Sequence, residues 1–522
     1  MHRLVIALVT LIGLTAAAFV AGYLFLFSAS TDRAAALAPA NSAFYVNVYL
    51  QPSAGQQMNL SGLIGRLPGF ADDASLDEKV DQIVQNLLSG TGIDYREQVK
   101  PWLGDQIAIV GWPGSDGATN APAAVIAEVT DPEAARTAIA GMLGDTGAEL
   151  RAETYAGAEL QVSDSGAYAF IGDMVVIGEN AEAIHAVIDV NGGGESLADR
   201  ADFVATMEGL QPDHLASAFI DLAAISDATG LADQVSGVST AGAVLVAEPE
   251  GLRLSATAPF DRDEATPSDA ASFALGGEPS SLVEWMPADT IAEAVVFGLG
   301  QTLEDAEAAL GVAPEGEEIA GALDTVRALA AFALGIDLDA DVLPLLDREV
   351  AVAVRGIEGG LPSGQILLRP SDPAAATDAL ERVASALTGV GATRTTETIG
   401  TEEVTILSLP DTGEVAYTEV DGIIILGFAA ADVAASIEAH DSGESLGSSE
   451  AYISTFEVAG TRAGTEAFVD VGAVVDLLGD PVELPDDARD ILLQVGTLGI
   501  TAPSRDHQIE FHAVLTVESQ DE

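Results

Sequence analysis

The sequence predicts an α+β protein, in which an N-terminal transmembrane helix is followed by two duplicated modules. Each module reads as a mainly antiparallel sheet with packed helices. Three observations carry this. Leu4 to Phe27 is one apolar stretch without a charge. Short motifs recur in the same order in the two halves of the chain. Several strand-like runs follow one another with no helix between them, which favours antiparallel pairing over a doubly wound parallel sheet.

A helix over Leu4–Phe27 would be roughly 36 Å long at about 1.5 Å per residue, enough for a hydrocarbon core of about 30 Å. A cleavable signal peptide has an apolar core of about 7–15 residues, so an uncleaved anchor is the expected form. Arg3 precedes the stretch and Thr31-Asp32-Arg33 follows it. A short tail and a large following domain suit export of that domain. Residues 1–30 are therefore read as cytoplasmic tail and anchor, and the remainder as lying outside the cytoplasm. The membrane, through residues 4–27, is the first expected partner.

Residues 31–260 form the expected first module, 261–280 a linker rich in Asp, Ala, Ser, Pro and Gly, and 281–522 the second module. The repeat is legible residue by residue. Pro39-Ala40-Asn41-Ser42 matches Pro287-Ala288-Asp289-Thr290, an offset of 287 − 39 = 248. Gly92-Ile93-Asp94 matches Gly335-Ile336-Asp337, with 335 − 92 = 243. Asp131-Pro132 matches Asp372-Pro373, with 372 − 131 = 241, and Ala218–Asp221 matches Ala467–Asp470, with 467 − 218 = 249. Repeats of this kind are sought before any fold is assigned.

Each module opens on a strand, Phe44–Val48 and Ala294–Phe297. Helical stretches follow at Leu76–Ser89, and at Leu303–Leu310 with Ile319–Leu334. Asp94 and Asp337 are N-cap candidates. Strands are expected at Gln106–Val110 and Ala123–Val129, matched by Val350–Val354 and Gln365–Leu368. Asp131-Pro132 and Asp372-Pro373 place a cap and a proline at a helix start, followed by Ala134–Leu143 and Ala374–Leu387. Strands Met174–Ile177 and Ile423–Leu426 precede helices Ala181–Asp189 and Ala430–Ala439. In the last strand Ile509, Phe511, Ala513, Leu515 and Val517 alternate with polar residues and share one expected face.

The 522 residues are 48% hydrophobic and carry a net charge of -62 from 82 acidic and 20 basic side chains. That apolar content supports folded domains, and the dispersed acids describe a negative surface. Nucleic acid is excluded as a partner, because binding it requires Lys and Arg to displace counterions. Lysine occurs only at Lys79 and Lys100. An acid-rich, lysine-poor surface suits high salt, where screening relieves self-repulsion, and a GC-rich genome gives the same bias. The chain has no cysteine, which excludes disulfides, thiol catalysis and cysteine-ligated metal.

After the apolar stretch come Leu37-Ala38-Pro39-Ala40-Asn41-Ser42-Ala43-Phe44-Tyr45-Val46, then Gln51-Pro52-Ser53, Arg66-Leu67-Pro68-Gly69-Phe70, and Gly92-Ile93-Asp94-Tyr95 leading to Pro101-Trp102-Leu103-Gly104-Asp105. This resembles the bacterial family called domain of unknown function 3352. The resemblance implies a membrane-anchored, extracytoplasmic protein and transfers no catalytic residue. Asn41 departs from the family pattern, which Asp289 keeps, and Leu345-Leu346-Asp347 replaces Trp-Leu-Gly after Pro344.

No segment carries a catalytic, cofactor or metal signature. Asp337-Leu338-Asp339-Ala340-Asp341 starts like a calcium loop, but Val342 and Arg348 stand where Gly and Glu belong, and helix capping explains the acids. His2, His185, His214, His440, His507 and His512 show no zinc-protease spacing and read as surface histidines. Ser239 lies outside a nucleophile elbow, and Gly192-Gly193-Gly194 reads as a turn. Asp221 and Asp470 are matched carboxylates on apolar strands, as Asp131 and Asp372 are at caps. Trp102 reads as a packing anchor and Leu60, Leu63, Ile64 and Leu67 as a helix face. The expected function is non-enzymatic, an interaction or envelope-organising module with an envelope protein as partner. The alternatives are an extracytoplasmic hydrolase with a site between the modules, resting on Asp221 or Asp470, and a divalent-cation binder. The sequence leaves the oligomeric state open.

Overall fold

The computed structural model describes residues 32–66, 81, 85, 94–113, 122–144, 150–229, 237–310, 327–328, 331, 336–358, 361–409, 413–478, 492–505 and 507–518. Chain contacts divide it into two compact units, one ending at residue 264 and one running from 265 to 518.

The first unit carries ten strands: β1 (Phe44–Tyr49), β2 (Leu103–Gly111), β3 (Ala123–Val129), β4 (Arg151–Tyr155), β5 (Ala158–Ser163), β6 (Gly166–Ile171), β7 (Met174–Gly178), β8 (Ala216–Asp221), β9 (Thr240–Glu248) and β10 (Gly251–Pro259). Every pairing is antiparallel, in the order β4-β5-β6-β7-β3-β2-β1-β8-β9-β10.

The second unit repeats that order. Its strands are β11 (Ala292–Phe297), β12 (Glu349–Glu358), β13 (Leu361–Arg369), β14 (Thr393–Ile399), β15 (Glu402–Leu409), β16 (Gly413–Val420), β17 (Ile423–Gly427), β18 (Thr465–Asp470), β19 (Val495–Ala502), β20 (Ser504–Arg505) and β21 (Gln508–Val517). They pair β14-β15-β16-β17-β13-β12-β11-β18-β19-β21, again antiparallel throughout.

The duplication extends to register. Tyr45 lies opposite Val110 and Phe219, and Glu293 lies opposite Ala353 and Phe468. The offsets are 293 − 45 = 248, 353 − 110 = 243 and 468 − 219 = 249, those of the repeated motifs.

Caps set the helix starts. Asp131 Oδ1 accepts from the Glu133 and Ala134 amides, both at 3.1 Å, before the helix Pro132–Gly144. Asp372 Oδ1 accepts from the Ala375 amide at 3.0 Å before Pro373–Gly389. Asn180 caps Ala181–Asn191 through the Ala183 amide. That helix covers one sheet face, where Ile184, Val187 and Ile188 pack with Ala108, Val110, Ile126 and Phe219. On the opposite face Trp102, Ala135, Ile139 and Tyr168 form a second cluster. Leu60, Leu63 and Ile64 are the buried stripe of a helix, Ala54–Ile64.

The structure corrects several expectations. The expected fold class placed a transmembrane helix ahead of the modules. Among the described residues no helix is long and apolar enough to cross a membrane, and the fold these residues show is 21 antiparallel-paired strands with helices. The stretch Leu4–Phe27, and with it the expected membrane contact, lies outside the described residues, as does most of Leu76–Ser89 and Ile319–Leu334. The segment 261–280 is not a plain linker. Thr266 caps a helix, Pro267–Leu275, that stops at Gly276, and Ser280 is buried. The last strand does not keep a single apolar face. Phe511, Val514, Thr516 and Val517 are all buried, so both faces of the strand are covered. Thr516 is tolerated there because its hydroxyl accepts the Thr497 amide at 2.8 Å.

Candidate functional site

A pocket of about 570 Å³ opens on the first unit, with Leu37, Ala158, Phe170, Met174 and Ile188 as apolar lining and Asp32, Arg33, Asp173 and Asn191 as its polar groups. Asp32 organises the wall. Its Oδ1 accepts from the Ala35 amide at 3.0 Å, which holds the turn of residues 34–37. The same oxygen accepts from Tyr45 Oη on β1 at 2.6 Å and Gln106 Nε2 on β2 at 2.8 Å. Gln106 also donates to Asn47 Oδ1 at 2.9 Å. Burial pushes the Asp32 carboxyl above its ordinary value, against the opposing pull of these three donors.

Arg33 holds the rim. Its Nη1 donates to Glu128 Oε1 on β3 at 2.9 Å, and Nη2 donates to Asp173 in the turn between β6 and β7. The ion pair lowers the Asp173 carboxyl and raises the guanidinium. Glu128 Oε2 also accepts the Asp105 amide at 3.1 Å.

The second unit rebuilds the corresponding positions with different chemistry. By the repeat offsets, 32 + 248 = 280, 33 + 248 = 281, 106 + 243 = 349 and 128 + 241 = 369. There Ser280 Oγ donates to Glu349 Oε1 at 2.5 Å. Arg369 Nε lies 3.1 Å from Glu349 Oε2, and Arg369 also donates to Ser281. The arginine has moved from the turn to the strand, and the partner acid from β3 to the counterpart of β2.

The family described as "Protein of unknown function (DUF3352)" matches residues 4–516. The chain belongs to the DUF3352 family. No curated protein matches it. Among solved structures, crystal form III of TP0453 is 12% identical, covering 48% of this chain and 90% of that one at a TM-score of 0.25. Crystal form I of TP0453 is 11% identical, covering 46% and 83%, again at 0.25. A TM-score of that size carries neither fold nor function across.

In this DUF3352 chain the carboxylates singled out by sequence are occupied structurally. Asp221 Oδ1 accepts the Ala224 amide at 2.8 Å, and its other oxygen is held by Arg200. Asp470 Oδ1 accepts the Ala473 amide, also at 2.8 Å. Asp337 caps the turn Leu338–Val342, and Asp341 is bound by Arg382 Nε at 2.7 Å. Among the described residues no group of three or more His, Cys, Asp or Glu is placed to hold a metal. Several histidines depart from the surface reading, His185 and His512 being partly buried. His214 is held by the Gln211 carbonyl at 2.7 Å, and burial depresses its pKa. His440 stacks on Trp285 at 3.7 Å. Sequence reasoning missed Asp32, Tyr45 and Gln106, because Asp32-Arg33 read as the flank of an anchor. It also missed Glu293, Glu349 and Glu466, whose one signal is a lone acid or an acid at the head of an apolar strand.

Proposed function

We propose that this DUF3352 chain is a non-enzymatic binding protein of the cell envelope, and that its first unit takes a neutral or cationic molecule with an apolar body. The observation that carries this reading is the open pocket beside Asp32, whose lining combines apolar side chains with Asp32, Arg33, Asp173 and Asn191, the mix of surfaces a small-molecule site uses. Three of those polar groups, Asp32, Arg33 and Asp173, are already bonded to other side chains. Asp32 is held by Tyr45 and Gln106, and Arg33 by Glu128 and Asp173, so none is presented as a base or nucleophile. Two acids against one arginine at the wall, on a chain of net charge -62, oppose an anionic ligand. Placement outside the cytoplasm rests on the sequence alone.

The test is a titration of the full-length chain with N-phenyl-1-naphthylamine, a neutral apolar probe, beside the anion 8-anilinonaphthalene-1-sulfonate. Ala36 is exposed on the pocket wall, so Ala36→Trp fills the opening without touching the core. Saturable binding of the neutral probe, weakened roughly tenfold (about 1.4 kcal/mol) by Ala36→Trp, is expected. Identical titrations of both proteins overturn the reading.

A further inference from the structure

The core face of the second unit contains three glutamates. Glu293 on β11 is 4% exposed, and Glu349 on β12 and Glu466 on β18 are 0% exposed. Register places them on one face. Glu293 lies opposite Phe468, two residues from Glu466, and Glu349 lies opposite Phe297, four residues from Glu293.

Two of the three have a cation. Arg369 serves Glu349 at 3.1 Å, and Arg462 lies 3.7 Å from Glu466 Oε2, whose other oxygen accepts from Tyr452 Oη at 2.9 Å. Glu293 has neither. Both of its oxygens are buried without a hydrogen-bond partner. The groups facing it are Glu466 on β18, Arg462 in the turn before that strand and Tyr452 on the helix Glu450–Ala459. Farther along the row on β13, Gln365 lies opposite Ala353 and donates to the Asp432 carbonyl of the covering helix Ala430–Ser442, where Asp432 also faces Arg355 at 4.0 Å. Three carboxylates against two guanidiniums at the cluster leave one negative charge uncompensated, and a buried unpaired charge is neutralised by taking up a proton.

We propose that Glu293 is a proton-binding site that makes the second unit, and not the first, sensitive to alkaline pH. Held as the neutral acid, it is tolerated in the core. Ionised beside Glu466, it opens the strands around it. The first unit is the comparison, because Tyr45, Ser217 and Gln106 occupy the corresponding positions, none of them ionises near neutral pH (217 + 249 = 466), and its own buried acid, Asp32, keeps three hydrogen-bond donors that Glu293 lacks.

A carboxyl whose folded pKa is raised contributes stability that is complete below its unfolded value and is lost as pH rises through the folded one. Burial and the neighbouring Glu466 both act in that direction on Glu293. Hydrogen–deuterium exchange of the full-length chain, corrected for intrinsic rates, reads the two units separately between about pH 5 and pH 9. Peptides from β11, β12 and β18 are expected to lose protection by up to about tenfold per pH unit while those from β1, β2 and β8 do not, and Glu293→Gln is expected to reduce that difference, leaving the part that Glu466 contributes. Equal pH dependence in both units, or in wild type and Glu293→Gln, overturns the proposal. Should Glu293→Gln fail to fold, infrared spectroscopy of the wild-type chain and of Glu466→Gln decides. A protonated-carboxyl band at neutral pH that survives in Glu466→Gln is expected, since Glu466 is itself partly protonated there, and its absence overturns the proposal.

Discussion

Tyr45 and Glu293 occupy the same place in the two duplicated sheets, Tyr45 opposite Phe219 and Glu293 opposite Phe468. The tyrosine hydroxyl spends its proton on Asp32 at 2.6 Å. The glutamate has no such partner, because the residue 248 positions after Asp32 is Ser280, which turns to Glu349 instead. Changes at matched positions, Tyr45 to Glu293 and Asp32 to Ser280 among them, therefore separate a bonded hydroxyl from a carboxylate without a hydrogen-bond partner.

Tyr45→Phe removes one of three donors to a buried carboxylate. A hydrogen bond to a charged group contributes about 1.5–3 kcal/mol, so urea denaturation should show a loss of that order in the first unit. The Asp32 carboxyl should rise further, since one opposing hydrogen bond has gone. An unchanged midpoint would mean that the Tyr45–Asp32 bond contributes nothing.

The matched acids Asp221 and Asp470 should differ in cost. Both cap a helix that follows a strand, Leu222–Thr229 and Val471–Leu478, and losing a cap costs about 1 kcal/mol. Asp221 also pairs with Arg200, which is little exposed and makes further bonds to Asp202 and the Ala40 and Ser42 carbonyls. Asp221→Ala should therefore cost about 3 kcal/mol or more, against about 1 for Asp470→Ala. Equal losses in denaturant would show that the Arg200 pair is energetically silent.

The Glu466 carboxyl is pushed up to about 7, first by burial, against the pull of Arg462 and Tyr452. Its folded pKa lies above its unfolded one, so its contribution is complete below about pH 4.3 and falls away as pH rises through 7. Glu466→Gln keeps an acceptor for Tyr452 and removes the titration. At about pH 8.5 the variant should be more stable than wild type by up to about 3 kcal/mol in urea, and the difference should vanish near pH 5.

The net charge of -62 makes self-repulsion a term that salt relieves. The melting temperature should climb steadily with NaCl. Calcium chloride at matched ionic strength should add nothing saturable, because among the described residues no group of three or more acids or histidines is placed to hold a metal. A saturable calcium shift would instead reveal an organised carboxylate site by mass action.

Much of the architecture is local enough to read from the chain. Asp131-Pro132 and Asp372-Pro373 start helices because a carboxylate satisfies free amides and proline needs none. Ala123–Val129 is a strand at its expected limits, since its apolar run is bounded by Pro122 and by the Asp131 cap. Residues 261–280 were harder, because Ala, Ser, Asp and Pro suit a loop as well as a capped helix. Thr516 was misplaced because it shares its side of the strand with the buried Val514, and alternation does not reveal that both faces are covered.

By itself the sequence determined the duplication, the order of most strands and helices, the caps and the acidic character, because each depends on neighbours a few residues apart or on composition. Only the tertiary structure decided which acids matter. Asp32 and Gln106 are separated by 74 residues, and Glu349 and Glu466 by 117 (466 − 349). Antiparallel pairing carries them to one face, and burial there turns an ordinary carboxylate into a group whose charge must be paired or given up.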